Sequence, residues 1–214
     1  MKEYHKIDGL YMREEETKKL IPGSYRNPMV DYLQNNIWMF TEKIDGTNIR
    51  VVWDGHRVSF YGRTDKAQIP NHLMERLEYL FAGEANEQVF EQVFGDKHAI
   101  LYGEGYGQKI QNGGLYRDDV DFILFDIEVN DVMLSRVSVD GIAKAFGIDS
   151  VPVVLIGTIH DAEEFVKQRP DSTIGKAKME GVVGRPLVEL HDRVGNRAIV
   201  KIKVRDFDEI ERYS

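Results

Sequence analysis

The stretch 42–48, EKIDGTN, constrains this chain more than any other part of its sequence. Lys43 comes soon after the apolar run 37–40, and a carboxylate, a glycine and an amide follow it within five residues. The apolar run predicts a strand that directs Lys43 towards the interior. Burial and nearby cations favour the uncharged, nucleophilic form of a lysine amine. Lys43 is therefore a candidate nucleophile, and the alternative from this stretch alone is a solvated lysine at a strand end.

The composition excludes several classes of protein. With 42% apolar residues the chain can bury a core, and its sequence shows neither a secretory segment nor a run of about 18 apolar residues. The absence of cysteine excludes disulfides, thiolate zinc sites and cysteine nucleophiles. We therefore expect one cytoplasmic domain over residues 1–214, with no membrane partner.

The distribution of charge is uneven. A net charge of −8 argues against a surface coated with cations for nucleic acid. The segment 185–205 departs from this balance, because it holds six cations and two acids. Such a segment can bind phosphate at one face of an acidic body, although it could also be the solvated face of a hairpin.

Hydrophobic periodicity predicts antiparallel strands with helices between them. Residues 47–53 and 57–63 alternate about Asp54–Gly55, which predicts a hairpin, and a strand over 37–43 would begin this meander. Without βαβ regularity the fold class is α+β. Further strands are expected over 99–104, 121–129, 151–158, 180–190 and 198–203, and helices from Pro28, from Asn71 as cap, over 87–94, from Ser138 as cap, and over 161–168.

Six short motifs follow one another at the ends of these predicted strands. They are Lys43–Asn48, Gly62–Thr64, Tyr102–Glu104, Phe122–Ile127, Glu180–Val183 and Lys201–Lys203. In this order they resemble motifs I, Ia, III, IIIa, IV and V of the covalent nucleotidyltransferase superfamily of polynucleotide ligases and mRNA capping enzymes. Each motif alone is short, but the six together span most of the chain. The resemblance implies an antiparallel-sheet nucleotidyltransferase domain with flanking helices, which is an ATP-grasp-like ligase adenylation fold.

The resemblance implies catalytic roles for three lysines. Lys43 matches the lysine that attacks the α-phosphorus of ATP and then carries AMP. Lys201 and Lys203 match the two lysines of motif V. Residues two apart on a strand share a face, so both ammonium groups can disfavour a proton on the attacking amine and stabilise charge on the α-phosphate. For this pair considered alone, the alternative is that the two lysines are alternate cations on the solvated face of a strand.

Other motif positions imply contacts with the nucleotide. Glu104 matches a glutamate that accepts a hydrogen bond from the ribose. Phe125 matches an aromatic that stacks on the purine, with Phe122 as the alternative and core packing for the other ring. Glu180 matches a carboxylate that organises Mg²⁺ or Mn²⁺ on the phosphates, which needs only one or two carboxylates. The predicted nucleotide-binding set is Glu42, Lys43, Asp45, Asn48, Arg63, Glu104, Phe125, Glu180, Lys201 and Lys203, with Glu180 as the metal ligand.

Asn48 narrows the resemblance to one branch. ATP-dependent DNA ligases usually carry arginine at this position, whereas asparagine, with Glu42 before Lys43, resembles the RNA ligase 2-like branch. The implied function is an ATP-dependent RNA ligase that self-adenylylates on Lys43, transfers AMP to a 5′-phosphate end and seals it to a 3′-hydroxyl. Its cofactors would be ATP with Mg²⁺ or Mn²⁺, and its partners RNA or RNA/DNA ends.

The segment after motif V is short, so we expect no C-terminal OB-fold or helical domain in this chain. Such domains normally help to hold nucleic acid. The basic hairpin formed by the segment 185–205, or a partner domain or protein, would then hold the RNA. Two alternatives stay open: a DNA ligase or capping-type guanylyltransferase core, and a non-catalytic module that binds nucleotides or RNA ends.

Overall fold

Residues 3–213 are described by a computed structural model, and they divide into two compact units. The first unit comprises Asp45–Val151 together with the N-terminal residues through Tyr4. The second comprises His5–Ile44 and the chain from Pro152 onwards. The chain therefore passes from one unit to the other inside the motif that contains Lys43, directly after Ile44. The expectation of a single domain over 1–214 stays a prediction.

The order of elements is that of an α+β chain, as predicted. The strands of the described residues are β1 (Tyr11–Arg13), β2 (Leu20–Tyr25), β3 (Trp38–Glu42), β4 (Thr47–Trp53), β5 (Val58–Tyr61), β6 (Ala99–Gly107), β7 (Val120–Val129), β8 (Val132–Met133), β9 (Asp149–Ser150), β10 (Val153–Gly157), β11 (Gly181–Pro186) and β12 (Val200–Lys203). The α-helices in the same part of the chain are α1 (Pro28–Leu33), α2 (Asn71–Phe81), α3 (Glu84–Phe94), α4 (Arg136–Phe146), α5 (Ile159–Lys167) and α6 (Val204–Tyr213). None of the helices within 3–213 is long and apolar enough to cross a membrane.

The second unit is built on a four-stranded antiparallel sheet in the order β10-β3-β11-β12. Trp38 and Phe40 of β3 point to one face of this sheet and are fully buried. Helices α1, α5 and α6 complete the apolar core on that face. Because side chains alternate along a strand, the residues between them, and Lys43 after them, are directed to the opposite face.

The first unit is built on an antiparallel sheet in the order β5-β4-β6-β7-β8, with β9 parallel to β7. Ile49, Val51 and Trp53 of β4 point to one face, where helices α2, α3 and α4 cover them. The alternate residues Asn48 and Arg50 are directed to the other face. The antiparallel sheets with flanking helices confirm the predicted fold class.

A bulge in β7 changes which residues share a face. Tyr102 of β6 lies opposite Asp126 whereas the next residue lies opposite Leu124, so Phe125 is the extra residue. As a result Ile127 joins Leu124 in the helix-covered core, and Asp126 lies with Tyr102 on the other face. Alternation along an unbroken strand would instead place Asp126 beside Leu124 and Ile127 beside Phe125.

Four further differences concern the partners, the bounds or the presence of elements. Strand β3 does not begin the meander of β4 and β5, because it pairs in the sheet of the second unit. Asn71 is the first residue of α2 rather than its cap, and Ser135 rather than Ser138 caps α4. Helix α6 was not predicted, although Val204, Phe207 and Ile210 recur at helical spacing on its buried side.

Candidate active site

Two of the predicted catalytic lysines lie in one row across three strands of the second unit. The backbone amide of Lys43 donates a hydrogen bond of 2.9 Å to the carbonyl of Gly181, and Gly181 lies opposite Lys203. Residues opposite each other in antiparallel strands point to the same face. Lys201, two residues before Lys203 on β12, shares that face. The sheet thus brings Lys43, Lys201 and Lys203 together.

Gly181 keeps the middle of this row empty. Its φ is 153°, and a Cβ added there would lie 2.1 Å from the carbonyl oxygen of Ile202. No side chain can therefore stand between Lys43 and Lys203 while the strands keep this spacing.

Glu180 lies directly against the candidate nucleophile. Its carboxylate forms an ion pair with the ammonium group of Lys43 through Oε2 and Nζ. Both side chains are about a quarter exposed, at 26% for Lys43 and 24% for Glu180. The pair holds the amine at the end of β3 and leaves it open to a ligand from solvent.

Lys203 is a buried cation without an ion-pair partner among residues 3–213. Its side chain lies on the same face as Lys43, and the residue is only 8% exposed. Burial lowers the pKa of Lys203, and Arg205 and Lys43 lower it further, against the opposing effects of Asp206 and Glu180. An ammonium group in such surroundings is stabilised by an anion, and a phosphate could supply that charge.

A basic cavity of about 190 Å³ adjoins these lysines. Cations from the N-terminal segment, which the sequence analysis missed, contribute to its wall. Arg13 is tied to Glu209 and Arg26 to Asp8, so part of the charge is neutralised. The cations that line the cavity are Lys6, Arg13, Arg26, Lys201, Lys203 and Arg205, and the acids are Asp8 and Asp206.

The basic segment 185–205 is not one exposed strip. Arg197 is 8% exposed, and its guanidinium group is paired with Glu189. Lys203 is buried as well, whereas Arg193 and Arg205 are exposed. The positive charge of this segment is therefore divided between hairpin, sheet and cavity.

Glu42 points away from the face that carries Lys43. It lies opposite Val182 on the core side of the sheet and is 1% exposed. Its carboxylate accepts hydrogen bonds from the hydroxyl of Ser172 (2.5 Å) and from the amide (2.9 Å) and hydroxyl (2.5 Å) of Thr173. This arrangement differs from the prediction that Glu42 binds the nucleotide, because strand alternation turns its side chain into the protein.

In the first unit, three predicted residues share the sheet face that is not covered by α2, α3 and α4. Asn48 of β4 lies opposite Glu104 of β6, and Phe125 projects from the bulge of β7 to the same side. The Oδ1 atom of Asn48 is buried and has no hydrogen-bond partner among the described residues. A buried carbonyl without a donor fits a site whose ligand supplies the hydrogen bond.

The two candidate aromatics have different surroundings. Phe122 is 1% exposed and packs edge-on against Phe81 in the helix-covered core, at a centroid distance of 5.3 Å. Phe125 is half-buried and contacts the ring of Tyr4, at a centroid distance of 5.0 Å. Of the two, Phe125 is the ring that a purine could reach, while Phe122 fills the core.

Asp45 and Arg63 lie in loops of the first unit. The carboxylate of Asp45 accepts a hydrogen bond of 3.2 Å from Asn112. Arg63 is exposed, and its loop is held by Arg50, which donates to the carbonyl of Gly62 (2.9 Å). The turn after Asp45 comes close to β6, because a Cβ on Gly46 would lie 2.3 Å from the carbonyl oxygen of Gly105.

The acidic side chains do not form a preformed metal site in residues 3–213. No group of three or more His, Cys, Asp or Glu side chains there could hold a metal ion. Glu180 offers a partly exposed carboxylate beside Lys43. This donor set fits a divalent cation held mainly by nucleotide phosphates and water.

Comparison with protein families decides the classification. The family model for RNA ligases matches residues 36–203, a span that contains all six motifs. The chain belongs to the RNA ligase family. The predicted resemblance is confirmed, and no curated protein sequence matches the chain.

Solved structures show the same fold. A variant of Naegleria gruberi RNA ligase with ATP and Mn is 17% identical, covers 100% of this chain and 63% of its own, and has a TM-score of 0.65. Naegleria gruberi RNA ligase with PPi is 20% identical, covers 87% of this chain and 55% of its own, and has a TM-score of 0.63. The chain thus spans less than two thirds of the length of these relatives.

Proposed function

We propose that this chain is the adenylylating domain of an ATP-dependent RNA ligase. The observation that carries the proposal is the row of Lys43, Gly181 and Lys203, with Glu180 paired to the amine of Lys43. This row joins a candidate nucleophile to a buried cation that has no ion-pair partner within the described part of the chain, across a position that has no side chain. Family membership supports the same chemistry.

In the first step the amine of Lys43, once it has lost its proton, attacks the α-phosphorus of ATP. A nitrogen–phosphorus bond forms as the α–β phosphoanhydride bond breaks, and pyrophosphate leaves with the bonding electrons. Lys201 and Lys203 stabilise the negative charge that develops on the α-phosphate oxygens. A divalent cation, organised by Glu180, would supply further charge neutralisation on the phosphates.

The first unit supplies candidates for nucleoside recognition. We propose that Phe125 stacks on the purine and that Glu104 accepts a hydrogen bond from the ribose. Asn48 would use its Oδ1 atom, which lacks a donor among the described residues. Asp45 and Arg63 would contact the nucleotide or the incoming end from their loops.

The later steps act on RNA ends. A 5′-phosphate oxygen attacks the phosphorus of the lysyl-AMP and displaces Lys43, and a 3′-hydroxyl then attacks the activated 5′-phosphorus as AMP leaves. The basic cavity beside Lys201 and Lys203 is a surface of the second unit that fits a phosphate of the substrate. A partner domain or protein would supply further contacts to the RNA.

Transfer of label from ATP to the protein tests the proposal. The purified chain is incubated with α-labelled ATP and Mg²⁺, beside Lys43→Ala and the control Lys144→Ala, which alters an exposed lysine of α4. We expect label on the denatured parent and control, and none on Lys43→Ala. Absence of label from all three with ATP, GTP and Mn²⁺ would contradict the proposal, and label from GTP alone would indicate a capping-type enzyme.

Sealing is measured separately. The adenylylated chain is mixed with 5′-phosphorylated RNA, as a nick and as a single strand, and the joined product is followed with time. We expect transfer of AMP to the 5′-phosphate and joining to a 3′-hydroxyl. Label on the protein with no transfer to any RNA would restrict the function to self-adenylylation.

A further inference from the structure

Glu42 ties the strand that carries the nucleophile to a distant loop. Its carboxylate is 1% exposed, and the groups that bond to it, from Ser172 and Thr173, lie 130 and 131 residues away along the chain. Among the described residues, no cation lies within ion-pair distance of it. A buried carboxylate without a cation depends on its hydrogen-bond donors, so loss of the loop contact would leave a charge without compensation.

The loop that Glu42 holds is closed upon itself. The amide of Ser172 donates to the carbonyl of Ala177 (2.9 Å), and the amide of Met179 donates to the carbonyl of Pro170 (3.0 Å). Asp171 and Lys178 form an antiparallel bridge and an ion pair between these two bonds. The loop 170–179 is therefore held together by its own contacts, and Glu180 is the next residue of the chain.

Strand alternation separates Glu42 from the chemistry. Glu42 points to the core side of β3, and the following residue, Lys43, points to the other side. Its carboxylate therefore cannot touch a ligand bound beside the amine of Lys43. It can act there only indirectly, through the backbone of β3 or through the loop 170–179 and Glu180.

We infer that Glu42 is a positioning residue for adenylylation, because it fixes the loop 170–179 and thereby sets Glu180 against Lys43. This inference rests on the proposed function of Lys43. It replaces the predicted nucleotide contact of Glu42 by a contact within the protein. One strand thus presents the nucleophile on one face and, on the other, the anchor of the carboxylate that holds it.

The chemistry of the donors indicates which substitution keeps the hydrogen bonds between residue 42 and the loop 170–179. Thr173 donates twice to one carboxylate oxygen, and Ser172 donates its hydroxyl to the other. In Glu42→Gln the amide oxygen can still accept both bonds from Thr173, and its NH₂ group can donate to the Ser172 hydroxyl. In Glu42→Ala all three bonds are lost. Glu42→Gln should therefore preserve the contact with the loop 170–179 that Glu42→Ala abolishes.

The test measures adenylylation of the full chain as a function of ATP concentration. We expect Glu42→Ala to lower the maximal rate by about 10- to 100-fold, the size of effect that misplaced catalytic groups produce, with KM for ATP changed less than about twofold. Glu42→Gln should restore most of the rate. A raised KM with an unchanged maximal rate would overturn the inference in favour of a direct nucleotide contact.

A matched control separates positioning from general stability. Glu163 is also a buried carboxylate of the second unit, 7% exposed, and it is bonded to Tyr11 and Tyr25. Glu163→Ala should lower the melting temperature while the folded protein keeps the parent's rate of adenylylation. An equal loss of rate in Glu163→Ala and Glu42→Ala would overturn the inference.

Hydrogen exchange gives a readout that does not need activity. Exchange of peptides covering 170–180 should be faster in Glu42→Ala than in the parent and near the parent's rate in Glu42→Gln. If the parent takes no label from ATP but exchange behaves in this way, the proposed function fails and the tie stands. Unchanged exchange of these peptides in Glu42→Ala would remove the basis of the inference, whatever the labelling shows.

Discussion

Each unit has a sheet with one face covered by helices and one face that the helices leave uncovered. In the second unit the uncovered face carries Lys43, Lys201 and Lys203. In the first unit it carries Asn48 and Glu104. Each sheet uses its other face to build an apolar core with helices. The two faces differ in chemistry, because the cations that we propose for the phosphates lie in one unit and the polar and aromatic groups that we propose for the nucleoside lie in the other.

The two units also differ in the partners that surround a buried cation. Arg50 of the first unit is fully buried, and its guanidinium group donates to the carbonyl of Gly62 and to Asp65. Lys203 of the second unit is almost as buried and has no ion-pair partner within residues 3–213. A buried cation without an ion-pair partner among these residues is a candidate for a functional role rather than a stabilising one.

Replacement of Arg50 should have the largest effect on stability. In Arg50→Met the buried carbonyl of Gly62 loses its donor, and we expect the free energy of unfolding to fall by about 1–3 kcal/mol. Chemical denaturation of parent and variant measures this change. The loop that carries Arg63 should also loosen, and a variant as stable as the parent would contradict the contrast between the two buried cations.

Truncation of Phe125 should weaken nucleotide binding more than it alters the chemical step. If the ring stacks on the purine, Phe125→Ala costs about 1–2 kcal/mol, which corresponds to a KM for ATP raised roughly 5- to 30-fold. The maximal rate of adenylylation should change little. Phe125→Tyr is the control, because it retains the stacking ring, and an unchanged KM in Phe125→Ala would remove Phe125 from the nucleotide site.

Replacement of Lys203 should stabilise the protein while it lowers activity. A buried ammonium group without a partner opposes folding, so Lys203→Met should raise the free energy of unfolding by about 1 kcal/mol, or the melting temperature by roughly 2–4 °C. Labelling by ATP should fall in the same variant. A destabilised Lys203→Met would show that the protein does neutralise this charge.

The gain in stability should depend on pH in a defined direction. The pKa of Lys203 in the folded protein lies below its ordinary value of 10.5, so the unfolded chain binds more protons between these two values. The parent therefore becomes more stable as the pH rises through this window. The advantage of Lys203→Met is full below the lowered pKa of the folded protein and should vanish above about pH 10.5. Denaturation of both proteins from pH 7 to 11 measures the closing of this gap.

The sequence predicted the elements that depend on local periodicity. Ile49, Val51 and Trp53 alternate as a half-buried strand must, and Leu73 and Leu77 recur at the spacing of a helix. These signals lie within a few residues of one another, and the structure confirms the strand and the helix that they indicated.

Features that depend on distant partners could not be predicted. The bulge at Phe125 arises because β7 holds one residue more than its partner β6, and no local pattern reveals a mismatch of that kind. The tie between Glu42 and Ser172 joins residues 130 positions apart. The sequence also does not show that the chain passes from one sheet to another between Lys43 and Thr47. The same residues could form a turn within one meander.

Gly181 has a consequence for how a survey of random substitutions should be interpreted. It has no functional group, yet any side chain there would press on the backbone of β12 and displace Lys201 and Lys203 from their places. Such a survey would therefore rank Gly181 with the lysines that we propose to be catalytic. At this position intolerance to substitution reports on the spacing between two strands, and only a structure distinguishes that requirement from chemistry.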